Sequence, residues 1–186
     1  MKVLITGVPC TGKTSLARAW SSHTGCPILS LNDLVEQKKL YTHVDEEDFA
    51  KVVKLPALHR AANSWLSSQK ESCIVESHLG CEVKLGVDKV IVLRLNPAEL
   101  QRRLASRGYV PAKIAANKMS ELLDYCTVLS MQNYGEKKLY EIDMTGREKA
   151  EQSFEDLGDI IAGVSAAEKL RPRISWSAQL LEEVSK

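Results

Sequence analysis

No stretch of the chain is apolar over enough residues to cross a bilayer, and the longest such runs are only as long as a strand. Neither sign of charge dominates, with 25 Lys and Arg against 24 Asp and Glu. That balance excludes a surface made for polyanions over its whole extent, though it leaves room for a local basic patch. Cysteine supplies no framework. The five copies, at positions 10, 26, 73, 81 and 126, are odd in number, scattered, and include no C-x-x-C pair. They read as free thiols in a reducing compartment, with no zinc or redox centre. Repeats and low-complexity segments are missing too. No leader precedes the first strand-like run, so a cytoplasmic protein is expected. At 186 residues the chain fits one domain, large enough to bury a core without disulfides or metal.

What the sequence does contain is Gly7-Val8-Pro9-Cys10-Thr11-Gly12-Lys13-Thr14, which fits G-x-x-x-x-G-K-[ST]. Glycines at both ends of such a loop let its backbone N–H groups turn inward as a nest for an anion. Lys13 brings a charge to the β- and γ-phosphates, and the Thr14 hydroxyl can ligate Mg²⁺. The context agrees. Lys2 to Thr6 is an apolar run typical of a buried parallel strand, and Leu16 and Trp20 stand four apart on the helix expected from about Lys13. A nucleoside triphosphate would then contact Cys10, Thr11, Gly12, Lys13, Thr14 and Ser15, with the helix N-terminus facing its phosphates.

Further along, strand-like and helix-like segments alternate. Strands are expected at Cys26–Leu31, Cys73–His78, Val87–Leu95 and Leu139–Asp143. Asn32 or Asp33 caps a helix to about Lys39, and Asn96-Pro97-Ala98-Glu99 opens another with the pattern of a capping box. Pro56 starts a helix with Leu58, Ala62, Trp65 and Leu66 on one stripe. One long helix is expected after Pro111, buried at Met119, Leu122, Cys126 and Leu129, and a last one after Thr145-Gly146-Arg147-Glu148. Residues 40 to 54 read as a solvated loop or as a mobile flap, and residues 168 to 186 as a tail that folds back or waits for a partner. The alternation implies an α/β fold, a parallel five-stranded sheet with helices on both faces and ligands at the carboxyl ends of its strands.

Glu76 and His78 fall at such an end, where a carboxylate can hold Mg²⁺ through a water and a histidine can orient a water or a phosphate. They could equally be polar strand-end residues facing solvent. Arg103 and Arg107 lie one turn apart and run into Gly108, which suits arginines carried by a closing lid, or else a plain basic helix face. A guanine reader of the N-K-x-D type is missing, since Asn117-Lys118-Met119-Ser120 lacks its Asp.

Together these residues resemble the small adenylate kinases of the ribosome-assembly type, found in the eukaryotic nucleus and in archaea. The likeness runs through the phosphate loop, Asn32-Asp33-Leu34, Leu40-Tyr41, Asp45-Glu46-Glu47 and Ile74-Val75-Glu76-Ser77-His78. It continues through Val90 to Arg94, Arg103-Leu104-Ala105-Ser106-Arg107-Gly108-Tyr109, Asn117 and Glu121. Arg171-Pro172-Arg173-Ile174-Ser175-Trp176 is similar to the tail of archaeal members. The resemblance implies a single P-loop nucleoside monophosphate kinase domain over residues 1–186, with a flap at about 30–53 and a lid at about 106–116. It implies ATP and AMP as substrates, Mg²⁺ held by Thr14 and Glu76, and catalysis by Lys13, Glu76, His78 and Arg107. It also implies ATPase activity, a role in maturing small-subunit rRNA, and a small-subunit ribosomal protein as partner. AMP would meet Asp33, Lys38, Lys39 and Arg60, with Lys51 a further cation available to its phosphate. Two positions depart from the eukaryotic pattern. Glu76 replaces an Asp, and Glu36 stands in the flap helix where relatives have Arg, with Lys39 one turn away and able to pair with it. Two classes stay open: an enzyme whose purpose is ATP + AMP ⇌ 2 ADP, and an assembly factor that uses ATP to place a ribosomal protein.

Overall fold

The computed structural model describes residues 1–45, 51–146 and 149–185, with the side chains of 149 and 150 outside that description. Most of the acidic run at 45–48 and the Arg147-Glu148 half of the last capping pattern therefore lie outside the described residues. Five parallel strands form the main sheet: β1 (Lys2–Thr6), β2 (Ile28–Ser30), β5 (Cys73–Glu76), β6 (Lys89–Arg94) and β7 (Leu139–Asp143). Their order is β2-β5-β1-β6-β7. In the central strands successive side chains feed opposite cores, which is why these strands are apolar throughout. Leu4, Val75, Val90 and Val92 pack under α2 (Leu31–Lys38), α3 (Leu55–Ser68) and α4 (Pro97–Ser106). Val3, Ile5, Ile74, Ile91 and Leu93 pack under α1 (Lys13–Thr24) and α7 (Lys149–Ala162). Trp20 and Phe154 close that second layer with ring centroids 5.1 Å apart.

The five-stranded α/β architecture expected from the alternation is the one observed, with four local differences. Helix α2 is capped by Ser30, whose hydroxyl accepts the Asp33 N–H at 3.3 Å, rather than by Asn32 or Asp33. Residues 41–53 include a small antiparallel pair, β3 (Tyr41–Val44) and β4 (Lys51–Val53), where the sequence showed only a weak pattern. Asn96 does cap α4, but Glu99 does not return to it. Instead the Asn96 N–H donates to Thr145, and Glu99 accepts from Gly146 and Arg103. The long helix after Pro111 is two helices, α5 (Pro111–Leu122) and α6 (Tyr125–Tyr134), broken where Asp124 takes a left-handed conformation at φ 54°.

The reason for the break is Arg94. Its side chain is 1% exposed at the carboxyl end of β6, and it pairs with Glu121 at 2.8 Å, Glu141 at 2.7 Å and Asp124. Turning the helix at Asp124 brings that carboxylate to the guanidinium. The tail is drawn into the same cluster. The Arg173 and Ile174 N–H groups donate to Glu141, and the buried Trp176 indole donates to Glu121 at 2.9 Å. Residues 173–176 thus fold back onto the domain, and α8 (Ser177–Val184) follows, held to α5 by a Lys118–Glu183 pair. No helix among the described residues is long and apolar enough to cross a membrane. Removing Arg94 strands buried carboxylates, so Arg94→Leu should lower stability by roughly 3–5 kcal/mol, read as a lower urea midpoint. Trp176→Phe deletes the donor to Glu121 and leaves a smaller ring in a buried place, and should cost about 1–3 kcal/mol.

Candidate active site

The turn after β1 has little freedom. Gly7 sits at φ +135°, and a Cβ there would lie 2.5 Å from the Leu93 carbonyl oxygen of β6. Gly12 is left-handed at φ +101° and precedes α1 with no side-chain cap and no acid in the first turn, so that helix's first amides are left for an anion. Between the glycines, the Thr11 hydroxyl and the Lys13 ammonium both donate to the Val8 carbonyl, at 3.0 and 2.9 Å. Lys13 is 8% exposed, and burial pulls its pKa below the ordinary lysine value. Its charge is therefore held without a carboxylate partner among the bonds described, at the place where phosphate charge would arrive.

Beside the loop, the Thr14 hydroxyl donates to Glu76 Oε2 at 3.1 Å. Two hard oxygen donors next to a phosphate-binding nest fit Mg²⁺, which prefers oxygen ligands and keeps several waters. Thr14 and Glu76 would hold it, and its charge would offset that of the phosphates. Ser15 is exposed in the same first turn of α1. His78 lies past the end of β5, in a short 3₁₀ turn from His78 to Cys81, and not on the strand as its spacing suggested. The turn is set by Ser77, whose hydroxyl accepts the Leu79 N–H and donates to Asn32 Oδ1 at 3.0 Å. Burial, reinforced by nearby Lys13, pushes the His78 pKa down to about 4. A neutral imidazole can position a water or phosphate oxygen, but it adds no charge.

Two larger cavities flank the loop. One, of about 590 Å³, is lined by Pro9, Glu36, Lys51, His78, Tyr109 and Asn117 among others. Glu36 pairs there with Lys51 of β4, not with Lys39, which closes α2 in a left-handed conformation. Lys38, Lys39 and Arg60 are exposed and do not line this cavity. Asp33 instead lines a smaller one of about 350 Å³ with Thr14, Arg18, Ser30 and Glu76. The other large cavity, about 660 Å³, is lined by Glu99, Arg102, Arg103, Ser106 and Gly146. Glu99 holds Arg103, whose remaining donors reach the Cys10 carbonyl of the loop at 3.5 Å and the Met144 carbonyl at 3.3 Å. Arg107 is exposed at the C-cap of α4, next to Gly108 at φ +74°. The structure thus joins Lys13, Thr14, Glu76 and His78 around the loop, adds Arg103, and leaves Arg107 at the rim. Lys51, Lys113 and Tyr109 also face the first cavity. Tyr109 was visible in the Arg-Gly-Tyr motif and Lys51 among the cations available to an acceptor phosphate, whereas nothing in the local pattern singled out Lys113.

This fold and loop define a P-loop protein with a five-stranded parallel sheet. A shikimate kinase from Bacteroides thetaiotaomicron superposes with a TM-score of 0.59 at 16% identity, covering 87% of this chain and 98% of its own. A gluconokinase from Sinorhizobium meliloti does so at 0.50 and 14%, covering 88% and 97%. Residues 3–124 match the AAA domain family. Proteins named "Putative adenylate kinase" align along nearly the whole chain. That of Methanothermobacter thermautotrophicus is 35% identical, covering 91% of this chain and 92% of its own. Those of Methanosarcina mazei and Methanocaldococcus jannaschii are 32% and 29% identical, covering 91% and 98% of this chain and 91% and 96% of theirs. The chain belongs to this AAA-domain P-loop family and groups with its archaeal members of that name.

Lys13→Ala should abolish nucleotide turnover while the thermal unfolding transition is retained. Near-normal turnover would mean that chemistry does not occur at this loop. His78→Ala should slow ATP hydrolysis by roughly ten- to a thousandfold with little change in nucleotide affinity, as expected of a group that orients rather than binds. Equal losses in both would make it a binding residue.

Proposed function

We propose that the protein is an adenylate kinase that transfers the γ-phosphoryl group of Mg²⁺-ATP to AMP, with slower ATP hydrolysis in the absence of an acceptor. The observation that carries this reading is the presence of two cavities near one phosphate loop, one lined by Pro9 of the loop and the other by Arg103, which donates to the loop's Cys10 carbonyl. A hydrolase needs room for one nucleotide, whereas a transferase needs room for two molecules meeting at the moving phosphoryl group.

In this arrangement the loop amides and residues Cys10 to Ser15 cradle the ATP phosphates, and the base side lies toward Arg103. Lys13 offsets charge on the β- and γ-phosphates. Arg107 closes from the lid, where its planar fork grips two phosphate oxygens. AMP enters the cavity of His78, Tyr109 and Asn117. His78, held neutral, orients the acceptor oxygen, or a water when AMP is missing.

The resemblance supports a second reading, in which ATP binding and hydrolysis place a small-subunit ribosomal protein during rRNA maturation in the cytoplasm and kinase activity is secondary. The Glu36–Lys51 pair is where the two readings part: were that bond to hold against an incoming phosphate, the cavity would lack this cation and the second reading would follow. Measuring ADP formation with ATP alone, with AMP added, and with a candidate ribosomal protein separates the two. The first reading expects AMP to raise the rate and to yield two ADP per ATP consumed. No effect of AMP, together with stimulation by the protein, establishes the second.

A further inference from the structure

The acceptor cavity raises a physical difficulty. A nucleoside monophosphate arrives as a dianion, and removing it from water beside carboxylates costs several kcal/mol unless cations receive it. Yet the flap helix α2 presents Glu36 to that cavity, and the exposed cations nearest in sequence, Lys38 and Lys39, do not line it. Lys51 does line it. It enters from the other side of the flap, on β4, and is held by Glu36 while its ammonium lies 4.8 Å from the centre of the Tyr41 ring.

We propose that Lys51 is the acceptor-phosphate cation of this site and that Glu36 holds it in reserve, so that an incoming nucleoside monophosphate takes Lys51 from Glu36. This rests on the transferase reading above and adds to it the residue that recognises the acceptor.

The magnitudes allow the exchange. The Glu36 and Lys51 side chains are 54% and 30% exposed, so solvent screens this surface ion pair and keeps it weak. A charge-assisted bond from an ammonium to a phosphate is stronger than a screened surface pair, and the phosphate brings two charges against one. The phosphate therefore wins, but only by the difference, which makes Glu36 a standing competitor. The geometry agrees. Glu36 sits on α2 and Lys51 on the β3–β4 pair, so the bond joins the two flap segments that border the cavity. Tyr41 provides the lysine with a resting place that is not a second carboxylate.

The test is a double-mutant cycle at the two positions, read by the Michaelis constants for AMP and ATP and by calorimetric binding of AMP and of adenosine. Lys51→Met should raise the constant for AMP about tenfold or more, while adenosine binding and the constant for ATP change less than twofold. Glu36→Gln should lower the constant for AMP by roughly up to fivefold by freeing the lysine, and should have no effect in the Lys51→Met background. The inference is overturned if Lys51→Met leaves AMP unaffected, if it weakens adenosine as much as AMP, or if Glu36→Gln acts equally with and without Lys51. Should wild-type protein bind AMP without phosphorylating it, the transferase reading fails, and the calorimetric arm still decides the role of Lys51. Failure of wild-type protein to bind AMP at all overturns both.

Discussion

A single guanidinium holds the rear of this molecule together. Arg94 meets Glu121, Glu141 and Asp124, so one positive charge faces three carboxylates at the end of a central strand. The charges alone do not balance. Neutral donors fill the remaining lone pairs: the Thr127 hydroxyl, the Trp176 indole and the amides of Leu95, Arg173 and Ile174. Burial still pushes the Glu121 pKa above the usual carboxylate range, while Glu121 and Glu141 together outweigh burial at Arg94 and raise its own. Such clusters add little net stability compared with an apolar core, but an incomplete one is costly. Its members must therefore all arrive, and in arriving they bring together β6, β7, α5, α6 and the tail. The same network sets the site at one remove. Leu95 and Asn96 follow Arg94 directly and lead into α4 with its arginines, and Glu121 ends the helix that carries Lys113 and Asn117.

Legibility in the sequence followed the range of the interaction concerned. Strand β1, the loop and α1 were readable because apolar run, glycines and helix stripe are consecutive, and each residue's role is set by its immediate neighbours. Strand β7 and the Asn96 cap were readable for the same reason. The helix after Pro111 was not, because its stripe runs on through Cys126 and Leu129, and the break is imposed from about 30 residues upstream by Arg94. The tail shows no periodic pattern, since it is held by backbone amides and one indole rather than by an apolar stripe. The small β3–β4 pair is too short to show an alternation.

Within the site, the same division holds. Lys13, Thr14 and Glu76 come together as their spacing suggested. Lys38, Lys39 and Arg60 were chosen for charge near the flap, but charge does not tell which face of a helix is turned inward. Of the flap cations, the one that lines the cavity is Lys51, on a strand and paired with Glu36 of α2. Arg103 and Glu99, four apart on α4, form an intrahelical pair that the spacing permits; that the arginine then reaches the phosphate loop is a tertiary fact.

The contact at Gly7 bears on how nucleotide affinity is divided among the parts. With the carbonyl of Leu93 filling the space a side chain would need, the phosphate loop is wedged against the middle of the sheet. Ligand need not organise it, so little conformational entropy is lost there on binding. Substitutions away from this wedge leave the shape of the loop undisturbed, which makes the periphery the region of this architecture most open to evolutionary change.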